Sequence, residues 1–209
     1  MSTRTYDVVV IGAGIVGSMV ARELSRYDLK VAVIDKESDI GMGQSTSNSA
    51  IIHSGHDPEP GTLKARMNVR GNELWHELAP QLDIPLDQTG ALIVAVGPEE
   101  QKALHPLMER GAANGVQGLE ILTREQVLEM EPHLNPDVTG ALWTPSAAVV
   151  DPFQGVLGAA EHAAMNGVEF LLNTEVRSAK VDAGALVAVE TTEGRIAADW
   201  FINAAGVHS

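Results

Sequence analysis

Three glycines near the start of the chain are spaced in a way that can bind phosphate. They form the pattern G-x-G-x-x-G at Gly12, Gly14 and Gly17. Such glycines permit a tight turn, a close approach of the backbone to a phosphate, and close packing of the next helix. A helix that begins there offers unpaired N–H groups and a partial positive charge. The pattern therefore predicts an anion-binding turn.

An acid follows this turn at the distance expected for ribose recognition. Asp35 lies 18 residues beyond Gly17 (35 minus 17), and a carboxylate there can accept hydrogen bonds from ribose hydroxyls. The flanking segments favour this interpretation over a ligand-free glycine turn, because a β-branched strand precedes the turn and an amphipathic helix follows it. A dinucleotide site is predicted, and an acid at this position disfavours the 2′-phosphate of NADP.

A second polar segment, GQSTSNSAIIHSG at residues 43–55, supplies hydroxyl, amide and imidazole groups. On residue types alone it reads as a polar loop that caps the next helix. His53, His56 and Asp57 form His-x-x-His-Asp, but no further ligand cluster accompanies them, so no metal site is predicted. Lys64, Arg66 and Arg70 form a basic cluster, which reads either as an attractor of an anionic substrate or as a solvated helix face.

The elements that must position these residues can be placed from hydrophobic periodicity and end signals. Thr123 and Gln126 fit a capping box, and Asp151-Pro152 fits an N-cap followed by proline at the first helical position. The predicted strands are 7–11, 30–34, 90–96, 138–143, 168–172, 176–181, 185–191 and 200–203. The predicted helices are 15–27, 62–82, 99–114 (kinked or split at Pro106), a short one after Thr123, and one from Pro152 to about Asn166.

Composition excludes several classes of protein. The chain of 209 residues has a net charge of −14 and no cysteine. The charge argues against general nucleic-acid binding, which depends on phosphate neutralisation, and the missing thiols exclude disulfides and thiolate metal sites within this chain. No apolar run approaches the roughly 20 residues that a membrane span needs. A cytoplasmic location is expected, and a peripheral membrane association remains open.

The segment 43–55 also carries a family resemblance. With Pro60–Ala65, Thr89–Leu92, Val150–Pro152 and Asn203–Gly206 in order along the chain, it resembles the D-amino-acid-oxidase-like FAD oxidoreductases. Within that group the chain is most similar to flavin-dependent glycerol-3-phosphate dehydrogenases and oxidases, and to L-2-hydroxyglutarate oxidases. The resemblance spans essentially the whole chain. It implies FAD as the cofactor, where the βαβ unit alone does not separate FAD from NAD.

The resemblance implies a set of cofactor contacts. The turn glycines would face the FAD pyrophosphate and Asp35 the adenosine ribose, although many relatives have Glu at that position. Val176 would touch the adenine through its backbone, and Gly206 would pass close to the cofactor. The pyrophosphate and ring end of the flavin would be lined by Ser45, Thr46, Asn48 and Ser49.

His53 would lie beside the flavin ring by the same resemblance. Oxidation of an alcohol removes the O–H proton as hydride leaves carbon, and imidazole suits the role of base. Three roles stay open for His53: the base, a substrate ligand, or a group that tunes the flavin. The alternative is that His53 has no role in the reaction and is a histidine at a strand end whose hydrogen bonds are satisfied. Position 56 is often aromatic in relatives, so with His56 here the resemblance does not define the wall of the substrate pocket.

The expected fold is α/β: an FAD-binding Rossmann-like βαβ domain with a central parallel sheet, plus part of an α+β substrate domain with an antiparallel sheet. We expect the FAD-binding domain at 1–83 and 151–209, and the partial substrate domain at 84–150. Proteins of this kind are longer, so we expect an N-terminal fragment that binds FAD weakly and is not a competent catalyst alone.

The expected activity is hydride transfer from a CH–OH group of a small anionic substrate, such as glycerol 3-phosphate or a 2-hydroxy acid. Oxygen, a quinone or an electron-acceptor protein would reoxidise the flavin. Amine oxidation on the same scaffold is one alternative, and a non-catalytic cofactor-binding subunit, completed by an oligomer or a partner chain, is another.

Overall fold

A computed structural model describes residues 3–209, apart from the side chain of His208. Along the chain the elements are β1 (Arg4–Ile11), α1 (Ile15–Leu24), β2 (Val31–Ile34), β3 (Ile51–Ile52), α2 (Leu63–Gln81), β4 (Leu86–Asp87), β5 (Ala91–Val96), α3 (Gly97–Ala113), β6 (Glu120–Thr123), α4 (Arg124–Met130), β7 (Val138–Thr144), β8 (Ala148–Val150), α5 (Pro152–Met165), β9 (Glu169–Leu171), β10 (Val176–Asp182), β11 (Ala185–Thr191), β12 (Gly194–Asn203) and a final 3₁₀ turn (Gly206–His208).

The described residues form two compact units. The first comprises the described part of Met1–Ser49 with Leu82–Ile84 and Asp151–Ser209, and the second comprises Ala50–Gln81 and Pro85–Val150. Each unit is therefore assembled from segments that are distant in sequence. Compactness does not establish functional domains, so the domain limits given above stay a prediction.

The first unit is built on a six-stranded sheet in the order β10-β11-β12-β1-β2-β9. Strands β12, β1, β2 and β9 run parallel to one another, while β10, β11 and β12 are joined by antiparallel pairing. The parallel βαβ core and the antiparallel strands confirm the predicted α/β class.

Burial on both faces explains why β1 is a continuous β-branched run. Val8 and Val10 pack on one face with Ala21 of α1 and Ala163 of α5. Val9 points to the other face, where it packs with residues of β2, β11 and β12. A strand covered on both faces has no reason to alternate apolar and polar residues, so this segment is readable from sequence alone.

The second unit contains two small antiparallel sheets, β3-β8-β4 and β5-β7-β6. Leu122, Val127 and Val138 form one buried cluster between β6, β7 and α4. Leu104 of α3 packs with Ala95 and Leu142 in another. This unit has the α+β character that the sequence predicts for the middle of the chain.

Several local predictions are confirmed and some need correction. Asp151 accepts hydrogen bonds from the N–H groups of Phe153 and Gln154 at 2.9 and 3.2 Å, and the capping box at Thr123 is present. The first helix ends at Leu24 rather than Tyr27. Pro106 does not split α3, which runs through it as one helix.

Candidate functional site

The turn between β1 and α1 requires glycine for packing reasons that the structure makes explicit. Gly12 has a φ of 108°, a conformation that side chains disfavour, and a Cβ there would lie 2.4 Å from the Ala204 carbonyl oxygen. A Cβ on Gly17 would lie 1.9 Å from the Gly12 carbonyl oxygen. The backbone therefore approaches itself too closely for any other residue at these two positions.

The N-terminus of α1 has the properties of an anion site. Its N-cap is Gly14, which provides no side-chain cap, and the first turn contains no acidic residue. Ser45 reaches this end of the helix, where its Oγ accepts a hydrogen bond from the Ile15 N–H at 2.9 Å. Helix N–H groups of this kind bind phosphate oxygens, so the turn fits a pyrophosphate and Ser45 lies beside it.

Asp35 is fixed next to the same turn. Its Oδ2 accepts a hydrogen bond from the Ala13 N–H at 2.6 Å, and its Oδ1 accepts one from the Glu37 N–H at 2.9 Å. The side chain is only partly buried, and each carboxylate oxygen retains capacity for a second donor. The arrangement fits a carboxylate that is held in place to accept hydrogen bonds from ribose hydroxyls.

The first half of the polar loop after β2 is folded onto the turn. Thr46 donates from Oγ1 to the Gly41 carbonyl at 2.7 Å, and the Gly41 N–H donates to the Ala13 carbonyl at 3.0 Å. Asn48 instead donates to the carbonyls of Gln44 and Ser45 within the loop, and both Asn48 and Ser49 are exposed.

The two remaining predicted cofactor residues also belong to the first unit. Val176 opens β10, pairs with Thr191 and packs into the core beneath the sheet. Gly206 begins the final 3₁₀ turn with a φ of 68°. The Ala204 N–H donates to the Ile11 carbonyl at 2.8 Å, so the segment before Gly206 passes directly beside the glycine turn.

His53 follows β3 in the second unit and its side chain is exposed. Its carbonyl accepts a hydrogen bond from Asn72 Nδ2 at 3.3 Å, and no hydrogen bond among the described residues holds the ring. Ser54 is buried beside it, with its Oγ 3.1 Å from His56 Nδ1. Burial lowers the pKa of His56, Asp57 opposes that effect, and His53 adds to it.

Two further findings concern metals and membranes. Within residues 3–209, no group of three or more His, Asp or Glu side chains is arranged to hold a metal ion. Over the same range, the helices are too short or too polar to cross a bilayer.

The fold and the turn define a dinucleotide-binding class of protein, and comparison with known proteins narrows it. Residues 7–209 match the model of the DAO family, described as FAD dependent oxidoreductase. The chain belongs to this family. The resemblance read from the sequence is confirmed, and FAD is the cofactor by which the family is defined.

Two of the similar proteins are named as dehydrogenases. A glycerol 3-phosphate dehydrogenase from Caloramator mitchellensis is 44% identical over 171 residues, which cover 82% of this chain and 36% of the relative. A mitochondrial L-2-hydroxyglutarate dehydrogenase from Caenorhabditis elegans is 41% identical over 148 residues, covering 70% of this chain and 34% of the relative.

Solved structures show the same fold. The FAD-bound L-alpha-glycerophosphate oxidase from Mycoplasma pneumoniae has a TM-score of 0.91 and 32% identity, covering 98% of this chain and 55% of the other. A glycine oxidase from Geobacillus kaustophilus has a TM-score of 0.90 and 26% identity, covering 99% and 56%. The chain therefore spans about a third to a half of the length of these relatives.

Sequence reasoning missed the residues that hold the His53 region. Asn72, Arg110 and Asn114 all donate to backbone carbonyls between residues 53 and 59. Nothing in their local pattern marks them, since an asparagine or arginine on a helix is ordinarily solvated. Only the sequence separations of 19 to 59 residues, visible in the fold, reveal their role.

Proposed function

We propose that this chain is the FAD-binding part of an oxidoreductase that takes hydride from a CH–OH group of a small anionic substrate, glycerol 3-phosphate or a 2-hydroxy acid. The observation that carries the proposal is the 44% identity to a glycerol 3-phosphate dehydrogenase. The L-2-hydroxyglutarate dehydrogenases support the same chemistry on a related substrate. Glycerol 3-phosphate and L-2-hydroxyglutarate are both anions with a secondary alcohol.

The cofactor would be held by the glycine turn and its neighbours. The backbone of Gly12, Gly14 and Gly17 and the α1 N-terminus would face the pyrophosphate, with Ser45 and Thr46 beside it. Asp35 would accept hydrogen bonds from the ribose. Asn48, Ser49, Val176 and Gly206 remain assigned to the flavin and adenine ends by resemblance. When bound, the flavin supplies the acceptor for the substrate hydride.

We assign His53 as the base that accepts the O–H proton of the substrate. As the C–H hydride leaves, the substrate O–H proton would pass to an imidazole nitrogen of His53, so that one hydride and one proton leave the alcohol and a carbonyl forms. The exposed ring, which no described hydrogen bond occupies, is available for this transfer. Positioned bases of this type contribute about 10²- to 10⁴-fold to rate.

The test is made on the gene product that contains this chain, loaded with FAD. Under anaerobic conditions, glycerol 3-phosphate or L-2-hydroxyglutarate should bleach the oxidised-flavin absorbance. His53→Gln should slow bleaching by about 10²- to 10⁴-fold while leaving the flavin spectrum of the resting protein intact. His133→Gln, at an exposed histidine elsewhere in the second unit, is the matched control. Unchanged bleaching in His53→Gln rules His53 out as the base.

Amine oxidation is a second candidate, favoured by the similarity to a glycine oxidase at a TM-score of 0.90. Glycine and other small amino acids are therefore included in the same screen. Bleaching by an amine substrate, without bleaching by glycerol 3-phosphate or L-2-hydroxyglutarate, would replace the first proposal with this one.

The behaviour of the isolated 209 residues is a separate proposal. We expect weak FAD binding and no turnover, with activity dependent on further chain or on a partner subunit. Titration of the purified chain with FAD, followed by flavin fluorescence, measures this directly. A tight complex whose flavin is bleached by substrate would contradict it.

A further inference from the structure

Side chains from neighbouring helices form hydrogen bonds to the backbone of the segment that carries His53. We call residues 53–59 the His53 segment. Asn114 Nδ2 donates to the carbonyls of Gly55 and Pro58 at 2.9 and 2.7 Å. Arg110 Nη1 donates to the Asp57 carbonyl at 2.9 Å. Two side chains at the end of α3 therefore satisfy three of the seven backbone carbonyls of the segment.

Other contacts complete the attachment. Arg110 Nη2 forms an ion pair with Glu59 at 3.0 Å. Asn72 of α2 is buried and bridges the carbonyls of His53 and Ser146 at 3.3 and 2.7 Å. The two helices thus hold the segment at its beginning, middle and end.

Packing between the anchors leaves little room for alternative conformations. Gly55 has a φ of 110°, and a Cβ there would lie 2.6 Å from Val69 Cγ2. A Cβ on Gly111 of α3 would lie 3.2 Å from both Cα and Cβ of His56. The backbone of the segment therefore rests directly on α3, in contact that a side chain at either glycine would disturb.

From this geometry we infer that Asn114 is a positioning residue for the site: it fixes the His53 segment, and through it the backbone from which the His53 imidazole projects. The inference rests on the proposed role of His53. Preorganisation of this kind matters because a catalytic group displaced by about 1 Å loses much of its effect. Asn114 is suited to the task because one amide group donates to two carbonyls at once.

The chain contains its own control. Asn114 is the C-cap residue of α3, and Asn166 is the C-cap residue of α5. The Nδ2 of Asn166 donates to the His162 carbonyl within its own helix, at 2.7 Å. Alanine at either site replaces a helix C-cap asparagine and removes its side-chain hydrogen bonds, but only Asn114→Ala removes anchors of the His53 segment.

The first test measures amide hydrogen exchange and histidine NMR signals of the 209-residue chain. Asn114→Ala should accelerate exchange of the amides of residues 54–57 and 59 by about tenfold to thirtyfold, as expected when two hydrogen bonds are lost. The ring signals of His53 and His56 should shift, whereas Asn166→Ala should change neither. Unchanged exchange and unchanged ring signals in Asn114→Ala would overturn the inference.

A second variant protects the test against general misfolding. Asn114→Asp keeps the size of the side chain but replaces the amide donor with an acceptor that repels both carbonyls. It should free the segment as much as alanine does, while circular dichroism of the helices stays unchanged. If Asn114→Asp protects the segment as well as asparagine does, the two hydrogen bonds are not the anchors and the inference fails.

The catalytic consequence is measured on the FAD-loaded gene product. Asn114→Ala should lower kcat about tenfold or more with a smaller change in KM, and Asn166→Ala should leave both unchanged. Loss of segment protection without any loss of kcat would reject the link to catalysis. If His53→Gln is itself fully active while the exchange result holds, the proposed role of His53 has failed and the anchoring has not.

Discussion

At the scale of single residues, Gly17 shows how a sequence pattern becomes a steric requirement. Alanine normally stabilises a helix relative to glycine by about 0.5 to 1 kcal/mol. At position 17 its Cβ would lie 1.9 Å from the Gly12 carbonyl oxygen, so helix and turn must separate. We expect Gly17→Ala to destabilise the chain by at least about 2 kcal/mol.

Urea unfolding measures this loss without any cofactor present. Gly43→Ala is the control, because a Cβ at Gly43 meets nothing within 4 Å and its φ is not positive. Equal stability of the two variants would mean that the turn relaxes easily, and the close approach of α1 would then not depend on glycine.

His56 provides a prediction about pH. Its pKa in the folded chain lies below the ordinary value because the ring is partly buried; Asp57 raises the pKa in part, and His53 lowers it further. The groups that face this region from α2 and α3 are Lys64 and Arg110, which pair with Asp57 and Glu59. A depressed folded pKa means that the unfolded chain takes up the proton first as pH falls.

The contribution of His56 to stability is therefore present above about pH 6.5, the ordinary histidine pKa, and is lost as pH falls through the lower folded value. The difference in unfolding free energy between the unmodified chain and His56→Gln should shrink or reverse between pH 7.5 and pH 5. Urea midpoints across this range measure it. A difference that does not vary with pH contradicts the expected burial of a neutral ring.

At the scale of elements, α5 depends on an end signal that the sequence already displays. Asp151 caps the first turn through two N–H groups, and proline occupies the first helical position. Asp151→Ala should cost about 1 kcal/mol of unfolding free energy. Asp28→Ala, at an exposed acid outside any helix, should cost less than about 0.5 kcal/mol. Thermal or urea unfolding of the two variants measures the difference, and an equal loss of stability in both would mean that Asp151 does not stabilise α5 as a cap.

The elements that sequence reasoning predicted correctly are those whose signals are local. The strands β10 and β11 are an example: both were predicted, and Ala183 and Gly184 between them have positive φ, as a two-residue hairpin turn requires. The strands β3, β4 and β8, of two or three residues each, were not predicted. Ile51 pairs with Val149 about a hundred positions away, and no local pattern contains that pairing.

The candidate site divides in the same way. Gly12, Gly17 and Asp35 are marked by spacing, and the structure brings them together at one turn. Ser45 was found through family resemblance, because a serine in a polar loop has no periodic signature. Asn114 was missed, since its partners lie 56 and 59 residues away. Contacts made across such distances are fixed by tertiary packing and are invisible to spacing rules.

At the scale of the whole chain, the first unit is closed by contacts between its ends. β12 lies beside β1 in parallel register, from Arg4 with Ile196 to Ile11 with Asn203. Tyr6 crosses beneath β2 and donates from its hydroxyl to Glu169 Oε2 at 2.6 Å, a separation of 163 residues. Arg4 approaches the same carboxylate at 3.8 Å, and Lys30 lies 4.7 Å from the Tyr6 ring centroid.

This closure predicts a specific alkaline instability. Burial of the phenol, with the hydrogen bond to Glu169 and its charge, raises the pKa of Tyr6 to about 12. The unfolded chain releases its proton near pH 10, two units earlier than the folded one. The stabilisation by Tyr6 is thus complete below pH 10 and is lost as pH rises to about 12. The loss should total roughly 2 to 3 kcal/mol.

Tyr6→Phe isolates the effect, because it retains the ring in the core but has no proton to release. Tyr27→Phe is the control, as that ring is 68% exposed and its replacement should leave the pH dependence unaltered. Urea unfolding at pH 9 and at pH 11.5 should show a steep loss for the unmodified chain and a shallower one for Tyr6→Phe. Equal slopes would mean that the phenol ionises in the folded sheet as readily as in water. The contact between β1 and β9 would then contribute little to holding the N-terminal and C-terminal segments of the first unit together.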